Sequence, residues 1–156
     1  MPPDKAQSPP SPSATVLVVD DNKDMVEILT RLLSRHGLNA LYAYNGRDCL
    51  EIVRSRPVDV IVLDVMMPGM NGLEVCEELK QLPASPPIIL LTAKDDMATR
   101  AAGMALGVSE FVVKPINNRD LLARIRTQIS TRQWEREIDR TSATMGTSDK
   151  TPSVEG

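Results

Sequence analysis

The run Val58-Asp59-Val60-Ile61-Val62-Leu63-Asp64-Val65-Met66-Met67-Pro68 carries the reading of this chain. Its first part, Val58–Leu63, is β-branched with almost no polar break. A strand covered on both faces has no need to alternate, so this run predicts a buried strand that delivers Asp64 at its carboxyl end. The same device recurs on either side. Thr15–Val19 is apolar and ends at Asp20-Asp21, Ile88–Leu91 ends at Thr92, and Phe111–Val113 ends at Lys114-Pro115, while Leu38–Tyr44 reads as a more mixed strand. Helical periods fill the gaps. Asp24–His36 places Met25, Ile28, Leu29, Leu32 and Leu33 on one face and stops at Gly37. Gly46–Ser55 carries Cys49, Leu50 and Val53 inward, Leu73–Leu79 is short, and Asp96–Leu106 is Ala-rich and interrupted by Gly103. A last helix, 118–130, has Asn117 as its cap, Asp120 completing a capping-box-like arrangement, and Leu121, Leu122, Ile125 and Ile129 facing inward. Five strands alternating with five helices imply an α/β domain, a doubly wound five-stranded parallel sheet with helices on both faces. Sites in such folds lie outside the carboxyl ends of the strands.

At 156 residues the chain has room for one ordinary domain. Eighteen Lys and Arg against 21 Asp and Glu give a formal charge of −3, and aromatics are only 3%, so nothing favours a nucleic-acid surface. No apolar run approaches the ~20 residues that cross a bilayer, and the Pro-rich start lacks the regions of a signal peptide, so no membrane role is expected. Cys49 and Cys76 are too few for a disulfide scaffold, and a reducing cytoplasm is the simplest setting. His36 is the sole histidine, which removes His-based triads and multi-histidine metal sites; it reads as a helix-end cap or surface residue. No Gly-rich loop follows the first strand, as a dinucleotide or P-loop fold would need. Residues 1–13, with five of the 12 prolines, read as a disordered tail, 14–130 as the folded domain, and 131–156 as a charged helix extension followed by a loose tail. In that extension Trp134 and Ile138 stand four apart among like-charged neighbours, compatible with fraying or with a docking stripe.

The strand ends gather Asp20, Asp21, Asp64, Thr92 and Lys114 on one rim. Three neighbouring carboxylates repel, and a cation offsets that repulsion. With only oxygen ligands the choice is Mg2+, or Mn2+ as a surrogate, rather than zinc. Lys114 then suits a phosphoryl oxygen as a mobile point charge, the Thr92 hydroxyl can donate to another, and a carboxylate can attack phosphorus to give an aspartyl phosphate. Asp64 is the best candidate because it ends the central strand, while Asp20 and Asp21 share metal and water. A phosphatase with an aspartyl nucleophile commonly has a second acid two residues on; Met66 stands there, which argues against that enzyme class.

Val18-Val19-Asp20-Asp21-Asn22, Asp64-Val65-Met66-Met67-Pro68-Gly69-Met70-Asn71-Gly72, Leu91-Thr92-Ala93-Lys94 and Lys114-Pro115, in this order and each at the end of a predicted strand, make the chain resemble the receiver domain of two-component response regulators. The resemblance covers about three quarters of the chain. It implies a flavodoxin-like strand order 2-1-3-4-5 and phosphorylation of Asp64 by a sensor histidine kinase or a histidine phosphotransfer protein. Mg2+ would be bound directly by Asp21, mainly through water by Asp20, and by Asp64 and the backbone carbonyl of Met66. Thr92 and Lys114 would bind the phosphoryl oxygens, Ala93 would be the small residue beside them, and the bond before Pro115 would be cis. Thr92 and Phe111 would form a switch, with Met66 and Lys94 tuning the phosphoryl lifetime. The output would be protein binding on the 96–130 face, with a phosphorylation-dependent homodimer as one form of it, and self-phosphorylation and self-dephosphorylation the only turnover. The other expectation is the receiver portion of a larger regulator, such as a transcription factor, whose output domain lies elsewhere.

Overall fold

Parallel strands must all run the same way, so each needs a crossover to bring the chain back to its starting end. In the computed structural model, which describes residues 13–93 and 96–132, five strands do this: β1 Thr15–Val19, β2 Asn39–Ala43, β3 Val60–Asp64, β4 Ile88–Thr92 and β5 Glu110–Val113. They form one parallel sheet in the order β2-β1-β3-β4-β5. The crossovers are α1 Lys23–Arg35, α2 Gly46–Ser55, α3 Gly72–Lys80 and α4 Met97–Ala105. A fifth helix, α5, runs from 118 to 132. The chain leaves β1 toward one edge and returns to β3 on its other side. The strand order therefore reverses between the ends of β1 and β3, where a doubly wound sheet opens a crevice.

Alternation along the strands divides the core into two layers. Leu17, Val19, Ile61, Leu63 and Leu90 pack with Cys49 and Leu50 of α2 and Val75, Cys76 and Leu79 of α3. Val16, Val18, Val60, Val62, Ile89 and Leu91 pack with Val26, Leu29 and Leu33 of α1 and Leu121, Leu122, Ile125 and Ile129 of α5. Both cysteines are free, and burial pushes their thiols up to about 12, so they behave as small core hydrophobes. No described helix is long and apolar enough to cross a membrane.

Each helix starts on a side chain that accepts from the backbone N–H three residues on: Asn22, Asn45, Asn71, Asp96 and Asn117. The full capping box belongs to α3, not to α5. Glu74 Oε1 accepts from Asn71 N at 2.8 Å while Asn71 Oδ1 accepts from Glu74 N at 3.0 Å. At α5 only Asn117 does its half, because the Asp120 carboxylate instead accepts from Arg124 Nε, one turn on. Since α3 begins only eight residues after Asp64, its cap matters to the site. Asn71→Ala is expected to cost about 1–2 kcal/mol of stability, read as a lower denaturation midpoint with an unchanged slope.

Helix ends follow the same logic. Gly37 (φ +79°) and Gly107 (φ +85°) close α1 and α4, with Leu38 N and Val108 N reaching back to Leu33 O and Gly103 O at 3.0 Å each. His36 Nδ1 lies 2.9 Å from Leu32 O at the end of α1. Gly103 does not interrupt α4, which runs through it to Ala105. β2 is shorter than Leu38–Tyr44, because Leu38 is spent on closing α1. The expected tail 1–13 (but for Ser13), Lys94 with its lifetime-tuning role, and the extension from 133 with Trp134 and Ile138 lie outside the described residues.

Candidate functional site

The last backbone hydrogen bonds of the sheet set where the site side chains stand. Asp20 N donates to Ala43 O (3.2 Å), Val65 N to Leu91 O (3.2 Å), and Lys114 N to Thr92 O (2.9 Å). Strand pairing is thus carried to its limit at the carboxyl rim. Asp64 and Thr92, the last residues of β3 and β4, and Asp20, immediately after β1, come out buried despite their polarity, at 2%, 1% and 2% exposure respectively. Asp21 is exposed beside them. Asp20, Asp21 and Asp64 each present a carboxylate oxygen, and the three oxygens lie within 4.8 Å of one another.

Lys114 enters from the end of β5, where the Lys114–Pro115 bond is cis. Its Nζ sits 2.9 Å from Asp64 Oδ1 in an ion pair that lacks hydrogen-bond geometry. Asp64 Oδ1 and Thr92 Oγ1 are both buried and make no hydrogen bond among the described residues. Buried polar atoms ordinarily find hydrogen-bond partners, so a hydroxyl with none and a carboxylate oxygen with only an ion pair, on one rim, mark a place built for atoms other than the protein's own. An all-oxygen set with no histidine or thiolate nearby fits a hard divalent cation such as Mg2+.

Burial raises the Asp20 carboxyl above its ordinary 3.8. The Asn22 N–H, donating to Asp20 Oδ1 at 2.9 Å, opposes this, the Asp64 charge adds to it, Lys114 opposes it and Asp21 adds again. The folded chain thus holds this proton more firmly than the unfolded chain. The stability associated with protonated Asp20 is complete below 3.8 and is lost as pH rises through the raised value. Asp20→Asn is therefore expected to raise the metal-free melting temperature at pH 7. Wild type should recover stability with Mg2+ by about 1.4 kcal/mol at a free concentration ten times Kd, and Asp20→Asn should lose most of that gain. A thermal melt of both proteins with and without Mg2+ checks it.

Three residues that the strand-end pattern did not single out support the site. Asn22 both donates to Asp20 through its backbone and caps α1 through Oδ1. Its signal was available, a capping residue directly after two acids. Gly72 brings α3 against the end of β3, its N–H donating to Val65 O at 2.9 Å. Asn71 supplies the cap described above. Of the two methionines after Val65, Met67 is buried, whereas Met66 is 70% exposed. Phe111, partly buried in β5, lies opposite Leu90 and packs on the α2–α3 layer.

A family model described as the response regulator receiver domain matches residues 16–126. Among solved structures, the chain is similar to the receiver domain of a response regulator from Francisella, with 26% identity, 76% of this chain and 98% of that one covered, and a TM-score of 0.72. It is also similar to the chemotaxis protein CheY4 of Vibrio cholerae, at 30% identity, 74% and 98% coverage and a TM-score of 0.68. A third likeness is to the signal receiver domain of an HD domain-containing protein from Pseudomonas fluorescens, at 25% identity, 83% and 96% coverage and a TM-score of 0.76.

Proposed function

This chain belongs to the response regulator receiver domain family, and from that premise we propose that Asp64 accepts a phosphoryl group from the phosphohistidine of a sensor histidine kinase or histidine phosphotransfer protein. Receiver domains are signalling domains of two-component systems that bind Mg2+ at an acidic cluster, here Asp20, Asp21 and Asp64. The observation that carries the reading is the buried Asp64 carboxylate. It has Lys114 Nζ at 2.9 Å and the oxygens of Asp20 and Asp21 within 4.8 Å, and the neighbouring strand ends in a Thr92 hydroxyl with no hydrogen-bond partner among the described residues.

In the proposed step a carboxylate oxygen of Asp64 attacks phosphorus in line with the donor nitrogen. The P–N bond breaks with its electron pair left on the imidazole, and an acyl phosphate remains on Asp64. A bound Mg2+, held by Asp20, Asp21, Asp64 and the Met66 carbonyl, would neutralise charge on the transferring oxygens. Lys114 exchanges its carboxylate partner for a phosphoryl oxygen, which its flexible stem permits. The Thr92 hydroxyl donates to another phosphoryl oxygen, and Ala93 leaves room for the group to enter. Water later cleaves the acyl phosphate and returns Asp64 to its starting state, so the domain turns over only itself.

Movement of Thr92 toward the phosphoryl group, with Phe111 rotating inward behind it, carries the change to α4, β5 and α5. The output is binding of another protein on the 96–130 face. Met97 and Met104, each 68% exposed and two turns apart on α4, favour an apolar contact there. A second copy of the chain is one candidate for that contact, read by light scattering with Mg2+ and then with Mg2+ plus beryllofluoride, a mimic of the phosphoryl group. The primary test is intact-mass spectrometry after incubation with a small acyl phosphate. One phosphoryl group should appear with Mg2+ and none with a chelator; labelling indifferent to Mg2+ would overturn the reading.

A further inference from the structure

Glycine inside a helix is a poor choice for the helix itself, since it gives up backbone entropy that alanine would not. α4 nevertheless carries Gly103 at its one buried position. The backbone there is not in the positive-φ region that only glycine favours, so conformation is not the reason. Space is the reason. A Cβ at Gly103 would lie 2.9 Å from Phe111 Cε1, 3.1 Å from Phe111 Cζ and 3.3 Å from Leu90 Cδ2. The far edge of the Phe111 ring therefore rests against the bare backbone of α4. Leu90 is fully buried in β4, directly opposite Phe111, and cannot yield far. The partly buried ring is the element free to move, and Thr92 stands two residues beyond Leu90 on the same face of the strand.

We propose that Gly103 is a positioning residue that seats the Phe111 ring in its resting place, its missing side chain setting the balance between that place and the inward one behind Thr92. This rests on the switch assigned above to Thr92 and Phe111. Filling the seat with a methyl group raises the inward population before any phosphoryl group arrives. Phosphorylation and its mimics then find more of the chain already competent.

Phe111 is the only phenylalanine in the chain, so incorporation of 4-fluorophenylalanine into the full chain gives one ring fluorine to follow by NMR. In wild type this signal should move when Mg2+ and beryllofluoride are added. In Gly103→Ala without beryllofluoride it should already lie part of the way toward that end point. The apparent affinity for beryllofluoride at fixed Mg2+ should tighten by about 3- to 10-fold, in proportion to the competent fraction. In a Phe111→Leu background, Gly103→Ala should leave that affinity unchanged, which a merely structural effect of the methyl group would not do. A wild-type measurement covers failure of the variant to fold: the ring-current shifts of the Gly103 α-protons should collapse when beryllofluoride binds. A Gly103→Ala ring signal at the wild-type resting position, or α-proton shifts that persist while the Phe111 fluorine moves, overturns the role of Gly103 alone. A wild-type ring signal that stays put while bound beryllofluoride's own fluorine signal reports full occupancy overturns the switch, and the proposal with it.

Discussion

Asp64→Asn is expected to abolish Mg2+-dependent phosphoryl labelling, a loss of at least about a thousandfold in rate, as when a nucleophile working within a concerted set is removed. The argument is geometric. Of the three carboxylates, Asp21 is exposed, and Asp20 already accepts from Asn22 N at 2.9 Å and sits under a burial penalty that favours its protonated form. Asp64 alone has Lys114 Nζ at 2.9 Å, on a buried oxygen whose only neighbour of opposite charge is that ammonium and which takes part in no hydrogen bond among the described residues. An amide at this position keeps the shape and removes the nucleophile. It also removes one of three crowded negative charges, so the metal-free variant should melt no lower than wild type even though Lys114 loses its partner; Lys114 is over a third exposed and can turn to solvent. Retained folding with lost labelling separates chemistry from structure. Labelling of Asp64→Asn at the wild-type rate would move the acceptor to another carboxylate, and peptide mapping would say which.

That site was open to sequence reading because every polar member follows an apolar strand directly, and parallel strands put all such ends on one rim. β1, β3 and β4 were equally open, since their runs are apolar without alternation and only a strand covered on both faces needs that. What resisted reading depends on contacts distant in sequence. The interruption expected of α4 at Gly103 assumed that a glycine breaks a helix, whereas this one makes room for Phe111, eight residues later and on another element. The capping box expected at Asp120 stays half-made because Asp120 pairs with Arg124, which also reaches Glu110 across to β5. β2, an edge strand, lost its ends to the closure of α1 on one side and to the turn into α2 on the other. Propensity and period report on a residue's own element. They do not report which side chain from elsewhere will claim it.

Gly72→Ala should produce the largest loss of stability of any single added methyl group near the site. A Cβ there would stand 2.7 Å from Asp64 O, 2.8 Å from Val65 Cα and 3.2 Å from the Asp64 carbonyl carbon. All three are backbone atoms at the end of β3, so no rotamer change relieves the clash; either α3 or the strand end must shift. Alanine's better helix propensity, worth about 1 kcal/mol in a helix interior, is worth less at a first-turn position. Overpacking of this kind costs about 1–3 kcal/mol, and loss of the Gly72 N to Val65 O bond adds about 1 kcal/mol more. A net cost near 2–3 kcal/mol corresponds to a melting temperature lower by roughly 10 °C. Because the displaced atoms belong to Asp64 and Val65, labelling should slow as well, by about tenfold or more for a shift of order 1 Å. Gly37→Ala is the control. It lies at the far end of α1 with nothing within 4 Å of its Cβ and a φ of +79°, so it should cost about 1–2 kcal/mol through backbone strain alone and leave the labelling rate of the folded protein unchanged. If both variants lose stability and neither loses rate, the packing of α3 on β3 holds the fold together without aiming Asp64. If only Gly72→Ala loses rate, that packing is what places the acceptor.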